Sequence, residues 1–220
     1  MKNLLAIIFI ISFLCNCQEE FERIDVPGKN ETINSEDNLA ALIHRMSLKD
    51  GSFDNFIDEC STISIKFPYT IKLRGEMIAI NAMKDIEKVS REYTHMRNAI
   101  IINFPVTIIF NDYSESILSN RGKLQAIQNQ CNTGVVTNIN CIDFIYPIEL
   151  NLYNTAFQTA DFIIAKNDKD IYNVFNDLEN LLVEINYPLL LKTPIGDTLS
   201  VNDNFDLENK INIVIEKCKN

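Results

Sequence analysis

The chain has 220 residues, which is enough for one or two domains of ordinary size. Apolar residues make up 46% of it, so the chain can bury a sizeable core, and its six Gly and six Pro exclude collagen-like and low-complexity classes. The formal charge of −10 repels nucleic acid phosphates, so nucleic acid is not an expected partner.

The N-terminus has the plan of a secretory leader. Lys2 precedes an apolar run from Leu4 to Leu14 that is interrupted only by Ser12. This run of 11 residues is too short to cross a bilayer core, which needs about 20. Its length is typical of the hydrophobic region of a signal peptide, and we assign residues 1–16 to one.

The end of the leader, Leu14-Cys15-Asn16-Cys17, resembles a bacterial lipobox. The resemblance implies that Cys17 is lipidated and becomes the mature N-terminus, and that acyl chains hold the protein at the membrane. Asn16 departs from the usual small residue before the Cys. Cys15 is the alternative, although Ser12 and Leu14 would then occupy the flanking positions. A plain signal peptide with two stray thiols also stays open.

Gln18, Glu19 and Glu20 follow Cys17. This resembles the Cys-Gln-acidic pattern that directs Bacteroidota-type lipoproteins to the outer leaflet of the outer membrane. The resemblance implies a lipid-anchored, surface-exposed outer-membrane protein, with a periplasm-facing lipoprotein as the alternative. We interpret residues 17–34, which are polar and lack periodicity, as a flexible tether.

Residues 35–59 are predicted to form an N-terminal helical segment. A helix from Glu36 to about Met46 would bury the stripe Leu39, Leu42, Ile43 and Met46. We expect the stretch from Asp50 to Glu59 to link this helix to the body of the protein.

The body of the sequence repeats one dipeptide. An aromatic residue precedes Pro at Phe67-Pro68, Phe104-Pro105, Tyr146-Pro147 and Tyr187-Pro188, with spacings of 37, 42 and 41 residues. Such a period indicates a duplicated supersecondary unit. Each dipeptide lies in a strand-like alternation of apolar and polar residues, and Pro lacks the N–H that a sheet ladder needs, so we expect pairing to bend or end there.

Each alternation is followed by a turn, a second short strand and a helix that begins near Asn81, Asn120, Asn167 or Asn202, since Asn is a favourable N-cap. The sequence therefore predicts an α+β fold. Four tandem strand–strand–helix units would form two antiparallel sheets with helices on one face, preceded by a short helix. The first pair of units spans residues 60–132 and the second spans residues 138–220.

Four cysteines remain once Cys15 and Cys17 are set aside, and an even number in an exported chain predicts two disulfides. Cys60 precedes the first strand of the first pair of units and Cys131 ends its last helix, while Cys141 and Cys218 hold the same two places in the second pair. We therefore prefer Cys60–Cys131 and Cys141–Cys218. The alternative is Cys131–Cys141 with Cys60–Cys218.

Three segments, NLAALIHRMSLKDGSFDNFIDECSTISIKFPYTIKL, NFPVTIIFNDYSE and CIDFIYPIELNLY, resemble Bacteroidota-type surface lipoproteins with repeated aromatic-Pro strand units. The resemblance covers about residues 38 to 218. It implies a lipidated, exported body that contains disulfides, and it transfers no catalytic residue.

Candidate catalytic groups are few. The chain has two His and lacks the common nucleophile, zinc-protease and phosphate-loop motifs, so we expect no catalytic, cofactor or metal site. The pairs Asp54 with Asp58 and Asp168 with Asp170 have the residue types of a glycosidase acid/base pair, but we expect them to be solvated surface residues.

The sequence thus predicts a non-enzymatic envelope lipoprotein with a binding or structural role. Its partners would be the membrane, through the lipid, and an extracellular protein or glycan. The alternative is a membrane-anchored hydrolase that acts on glycan or peptide through acidic residues.

Overall fold

A computed structural model describes residues 32–131, 138–154 and 159–218. The predicted leader and Cys17 lie outside these residues. The described chain contains both helices and antiparallel strands, which confirms the α+β class. Its α-helices are α1 (Asn38–Met46), α2 (Asn55–Asp58), α3 (Met83–Glu92), α4 (Arg121–Cys131), α5 (Asp168–Phe175) and α6 (Asn204–Cys218), with 3-10 turns at Ser52–Asp54 and Thr94–Ala99.

The strands are short. They are β1 (Thr32–Ile33), β2 (Ile63–Ile65), β3 (Tyr69–Leu73), β4 (Glu76–Ile80), β5 (Ile101–Ile102), β6 (Val106–Phe110), β7 (Glu115–Leu118), β8 (Asp143–Ile145), β9 (Ile148–Asn154), β10 (Thr159–Ala165), β11 (Leu181–Ile185), β12 (Leu189–Lys192) and β13 (Thr198–Val201).

These strands form four small sheets, which corrects the prediction of two. Their orders are β2-β6-β7, β4-β3-β5, β13-β12-β8 and β1-β11-β9-β10. All four aromatic-Pro bonds are cis, and each lies between two separate strands. Since Pro cannot donate to a ladder, each predicted long strand is divided at its Pro, and the two parts join different sheets.

Strand pairing crosses over between neighbouring aromatic-Pro segments. The strand before Pro68, β2, pairs with β6, which follows Pro105, and β5, before Pro105, pairs with β3, which follows Pro68. The same exchange recurs near the C-terminus, where β8 pairs with β12 and β11 pairs with β9. Each long segment is therefore held to its neighbour in two sheets.

The described residues bury two apolar cores. The core of the first half contains Ile57 and residues from Cys60 to Leu124. The core of the second half contains Ile33, five residues of α1 and residues from Ile139 to Val214. We call residues 52–131 the first half, and residues 32–46 together with 138–218 the second half.

The N-terminal segment contributes to both halves, and its first residues differ from the predicted tether. Thr32 and Ile33, placed in the flexible tether by the sequence, are buried and pair with β11 as β1. Helix α1 buries the predicted stripe in the second half, whereas α2 belongs to the first half. The apolar side chains of residues 35–59 therefore contribute to both cores.

Two hydrogen bonds join the first half to residues 47 and 49, which follow α1, and a ring contact joins the two halves. The Tyr113 hydroxyl of the first half donates to the carbonyl oxygen of Ser47 at 2.8 Å, and its ring lies 5.4 Å from the Tyr172 ring of the second half. The backbone N–H of Lys49 also donates to Asn111 at 2.9 Å. Across the described ranges, no helix has the length and apolar character needed to span a membrane.

Candidate functional site

The four predicted disulfide cysteines lie in two pairs. Cys60 and Cys131 have Cα atoms 5.6 Å apart, and the Cα atoms of Cys141 and Cys218 are 6.3 Å apart. Both separations fall within the range of disulfides. The prediction of two disulfides is confirmed with the preferred pairing, and each bond joins the residues before the first strand of an aromatic-Pro pair to the end of the last helix of that pair.

Asp54 and Asp58 are fully buried, which corrects the expectation of solvated carboxylates. The Asp54 Oδ2 atom accepts a hydrogen bond from the backbone N–H of Ile65 at 2.7 Å, and Asp58 Oδ1 accepts one from Cys60 at 3.1 Å. The other oxygen of each carboxylate has no hydrogen-bond partner among the described residues, and neither does the hydroxyl of Tyr69.

This buried acidic pair has perturbed protonation. Burial, the larger effect, raises the pKa of Asp58, and the charge of Asp54 raises it further. Burial also raises the pKa of Asp54, against the opposing effect of its hydrogen bond from Ile65. A proton is therefore retained on this pair well above the pH at which exposed aspartates ionise.

The second pair of predicted carboxylates is also engaged in local structure. Asp168 Oδ1 accepts a hydrogen bond from the hydroxyl of Tyr146 at 2.6 Å. Asp170 Oδ2 accepts the backbone N–H of Lys166 at 2.8 Å, while the N-cap Asn167 accepts the N–H of Asp170. Both carboxylates thus fix the start of α5.

Asp54 and Asp58 are not placed for the predicted alternative chemistry. A glycosidase needs two carboxyl groups that flank a bound sugar, with space for it between them. Asp54 and Asp58 have no exposed surface, and they accept the backbone N–H groups of Ile65 in β2 and of Cys60 before it. Their geometry is that of a structural turn.

A groove on the first half is the better candidate for contact with a ligand. It has a volume of about 350 Å³ and runs along β5 between the 3-10 turn Thr94–Ala99, the end of α2 and helix α4. None of its lining residues belongs to β3, the hydrogen-bonded neighbour of β5. The groove therefore lies on the side of β5 that faces away from the sheet.

The groove is lined mainly by polar and charged groups, with a few apolar side chains among them. Buried Ile57 and Leu124 and half-buried Phe104 contribute to its lining, and Ile101, which also lines it, is 53% exposed. Helix α4 lies across the groove from Ile101.

Two arginines differ in their surroundings within the groove. The Arg97 guanidinium lies 3.5 Å from Glu59 and also donates to the carbonyl oxygen of Asn55. Arg121 lies at the exposed start of α4, where no described residue forms a hydrogen bond or ion pair with it. With Glu59 offsetting Arg97, the groove has one unneutralised positive charge in an acidic protein.

Four further apolar residues of the strands, Ile109, Ile145, Tyr153 and Leu190, do not form one patch. Leu190 is 41% exposed and pairs with half-buried Ile145 in one sheet. Ile109 is half-buried in another sheet, and Tyr153 is buried, with its hydroxyl donating to Glu184 at 2.8 Å. These residues are divided among three sheets, and Tyr153 is buried, so they do not define a common surface.

Within the part of the chain that the structure describes, no group of three or more His, Cys, Asp or Glu side chains is placed to bind a metal ion. Comparisons with protein-family models, with curated proteins and with solved structures give no match.

Proposed function

We propose that the protein is a lipoprotein of the bacterial cell envelope, anchored through Cys17 in the outer membrane and exposed at the cell surface. The short apolar leader, the resemblance of Leu14 to Cys17 to a lipobox and the acidic residues after Cys17 support this proposal. The two disulfides support it independently, because such bonds persist in oxidising compartments outside the cytoplasm.

We propose further that the body consists of four tandem strand–strand–helix units in two pairs, in line with the resemblance to surface lipoproteins with repeated aromatic-Pro units. The four cis aromatic-Pro bonds and the repeated exchange of strands between neighbouring segments support this organisation. Each disulfide then links the beginning and the end of one pair.

The role of this body is to bind an extracellular protein or glycan without chemical change to it. The observation that supports binding best is the groove along β5, where a few apolar side chains lie beside the guanidinium of Arg121, which has no partner among the described residues. The net charge of −10 disfavours nucleic acid as the ligand.

The alternative function is a membrane-anchored hydrolase that uses acidic residues. The four carboxylates from which it was suggested hold backbone or tyrosine groups in place. A hydrolase would need a different pair of carboxylates, so we place the binding function first.

Acylation is tested by mass spectrometry of the mature protein from cells that express the wild type, Cys17→Ser or Cys15→Ser. The proposal predicts an acylated N-terminal Cys17 in the wild type. Cys15→Ser, the matched control, is acylated as well, because residue 15 leaves with the leader. Loss of acylation in Cys15→Ser, with acylation retained in Cys17→Ser, would place the lipid on Cys15 and contradict the proposal.

Surface exposure is tested by protease treatment of intact cells, with a periplasmic protein as the control for membrane integrity. We expect the protein to be degraded while the periplasmic control survives. Protection of the protein in intact cells, followed by degradation after the outer membrane is opened, would instead establish a periplasm-facing lipoprotein.

A further inference from the structure

Three of the strands that precede a cis Pro, β2, β5 and β11, differ in how their outer edges are covered. In the second half, β11 pairs with β9 on one edge and with β1 on the other, where Ile33 lies opposite Val183. In the first half, the outer edge of β2 is covered by Asp54, which accepts the N–H of Ile65. The outer edge of β5 borders the groove.

The hydrogen bonds of β5 show which of its backbone groups face the groove. Asn103 donates its N–H to Thr70 of β3 at 2.9 Å, and Ile101 lies opposite Lys72. In an antiparallel ladder the residues between such positions direct their N–H and C=O away from the partner strand. The N–H and C=O of Ile102 therefore point to the groove.

The same register occurs at β2 and tests this argument within the molecule. Lys66 donates its N–H to Thr107 of β6 at 2.8 Å, so the N–H of the preceding Ile65 must point away from β6. It does so, and Asp54 accepts it. Ile102 holds the same position before Asn103 that Ile65 holds before Lys66. The N–H of Ile102 at the groove therefore corresponds to the N–H of Ile65, which is bound by the Asp54 carboxylate at β2.

We propose that an extended, acidic segment of a partner protein binds in this groove as an added strand on β5. Its backbone would pair with Ile102, as β1 pairs with β11 on the matching edge of the second half. Apolar side chains on one face of the segment would contact Phe104 and Leu124, and a carboxylate would pair with Arg121. The proposal rests on the binding function proposed above and names the ligand of that site.

The local charge of the groove favours an acidic segment over a basic one, although the net charge of −10 opposes the approach of any anion at long range. Arg121 is the cation of the groove without a partner among the described residues, whereas Arg97 already contacts Glu59 and Asn55. A carboxylate that approaches a guanidinium forms short, charge-assisted hydrogen bonds. A basic segment would meet repulsion from Arg121 without a free carboxylate to offset it, since Glu59 is shared with Arg97.

Strand addition distinguishes a peptide from an acidic glycan. A sugar acid satisfies Arg121, but it does not supply the alternating N–H and C=O groups that match an open strand edge. Because the donor and acceptor of Ile102 both face the groove, the structure favours a peptide, and an acidic oligosaccharide becomes a competing arm of the test.

The test uses the mature full chain purified in detergent and fluorescence anisotropy with four probes. The first probe is a labelled peptide in which Val and Glu alternate, and the second replaces each Glu with Lys. The third is the acidic peptide N-methylated at alternate residues, which removes the N–H groups on the edge that would pair with β5. The fourth is a labelled oligogalacturonate. Each is titrated against the wild type, Arg121→Glu and Lys123→Glu.

Lys123→Glu is the matched control because Lys123 is exposed on the same helix, undergoes the same change of charge and does not line the groove. We expect the acidic peptide to bind and Arg121→Glu to weaken it about tenfold or more, while Lys123→Glu changes it less than about twofold. The basic and the N-methylated peptides should bind at least about tenfold more weakly than the acidic peptide.

Equal binding of the acidic and basic peptides, equal effects of Arg121→Glu and Lys123→Glu, or undiminished binding of the N-methylated peptide would each overturn strand addition. Strand addition would also be overturned if none of the peptides binds. It would be overturned as well if oligogalacturonate alone binds tightly and its binding depends on Arg121. None of these results alters the acylation or protease experiments, so this inference fails separately from the proposed anchoring at the cell surface.

Discussion

The carboxylate of Asp54 accepts the backbone N–H of Ile65 at 2.7 Å, so a side chain from a 3-10 turn closes the outer edge of β2. This bond places Asp54 and its neighbour Asp58 inside the first half with no exposed surface. An acidic pair in that position makes the stability of the fold depend on pH.

Because burial raises the pKa of both carboxyl groups above their ordinary value of 3.8, the folded chain binds more protons than the unfolded chain as the pH rises from that value. Their contribution to stability is therefore complete below about pH 4 and declines above it, by about 1.4 kcal/mol per pH unit for one proton. We predict that Asp58→Asn, which keeps the acceptor for Cys60, removes part of this decline.

Urea unfolding of the wild type and Asp58→Asn at about pH 5 and about pH 8 checks this prediction. The variant should gain stability relative to the wild type between the two pH values. Asp177→Asn, an exposed residue on the loop after α5, provides the same change of formal charge as a control. A parallel decline in the wild type and Asp58→Asn would contradict the account of the buried pair.

The disulfides are expected to be large contributions to stability. Cys60 and Cys131 are separated by 71 residues and Cys141 and Cys218 by 77. In the chain-entropy model a crosslink over loops of this length is worth roughly 4 kcal/mol. Replacing both cysteines of either pair with Ser should lower the free energy of unfolding by about that amount, measured in urea. A loss below about 1 kcal/mol for both double variants would refute the predicted stabilisation.

Gly51 is required for a close approach of two backbone segments. A Cβ atom at this position would overlap the carbonyl oxygen of Ile63 and lie 2.9 Å from that of Ser61. The φ of Gly51 is −97°, which other residues adopt, so the cost of Gly51→Ala is steric. We predict a loss of roughly 1–3 kcal/mol in the free energy of unfolding.

Gly122→Ala is the control for this substitution. Its Cβ would have Asn120 Oδ1 as its nearest neighbour at 3.3 Å, and it lies in helix α4, where Ala is preferred to Gly by about 1 kcal/mol. Thermal or urea unfolding should show Gly122→Ala to be neutral or stabilised. Equal stability of the two variants would show that the backbone at Gly51 can shift.

The tyrosines before two cis Pro residues hold the helices of the second half. The Tyr146 hydroxyl bonds to Asp168 at the start of α5, and that of Tyr187 bonds to Asn204 at the start of α6 at 2.7 Å. We predict that Tyr146→Phe costs about 1.5–3 kcal/mol because its acceptor is a carboxylate, and that Tyr187→Phe costs about 0.5–1.5 kcal/mol. Urea unfolding that ranks the two variants in the opposite order would contradict this assignment.

Local patterning predicted much of the fold. Alternation of apolar and polar residues located the strands around each Pro, and Asn120 and Asn167 accept N–H groups in the first turns of α4 and α5 as N-cap residues do. The helix after β4 begins one residue later than expected, because the carboxylate of Asp85 accepts the N–H groups of both Asn81 and Ala82. Alternation and helix capping depend on residues close together in the chain, so a single sequence is enough to predict them.

The partners of the strands and the burial of acids were not predictable in the same way. Nothing in Thr32 and Ile33 themselves indicates that β11, about 150 residues later, accepts them as a neighbouring strand. Asp54 and Asp58 lie in a stretch that is polar in composition. The helical spacing of Phe53, Phe56 and Ile57 in that stretch is the pattern that indicates a packed turn there, and these residues do contact the first core.

The groove depends on both kinds of information. The sequence predicts a helix that begins near Asn120, but the approach of this helix to Ile101 depends on the pairing of β3 with β5. The pairing of strands that are distant in sequence is not encoded in the residues of either strand alone, so local patterns did not predict it.

The measurement that tests the account most directly is the mass of the mature protein isolated from its membrane, followed by non-reducing peptide mapping. The account predicts an N-terminal Cys17 that bears acyl chains, together with peptides joined through Cys60–Cys131 and Cys141–Cys218. A chain that retains its leader or lacks acyl groups, or one in which these four cysteines are free thiols, would contradict it.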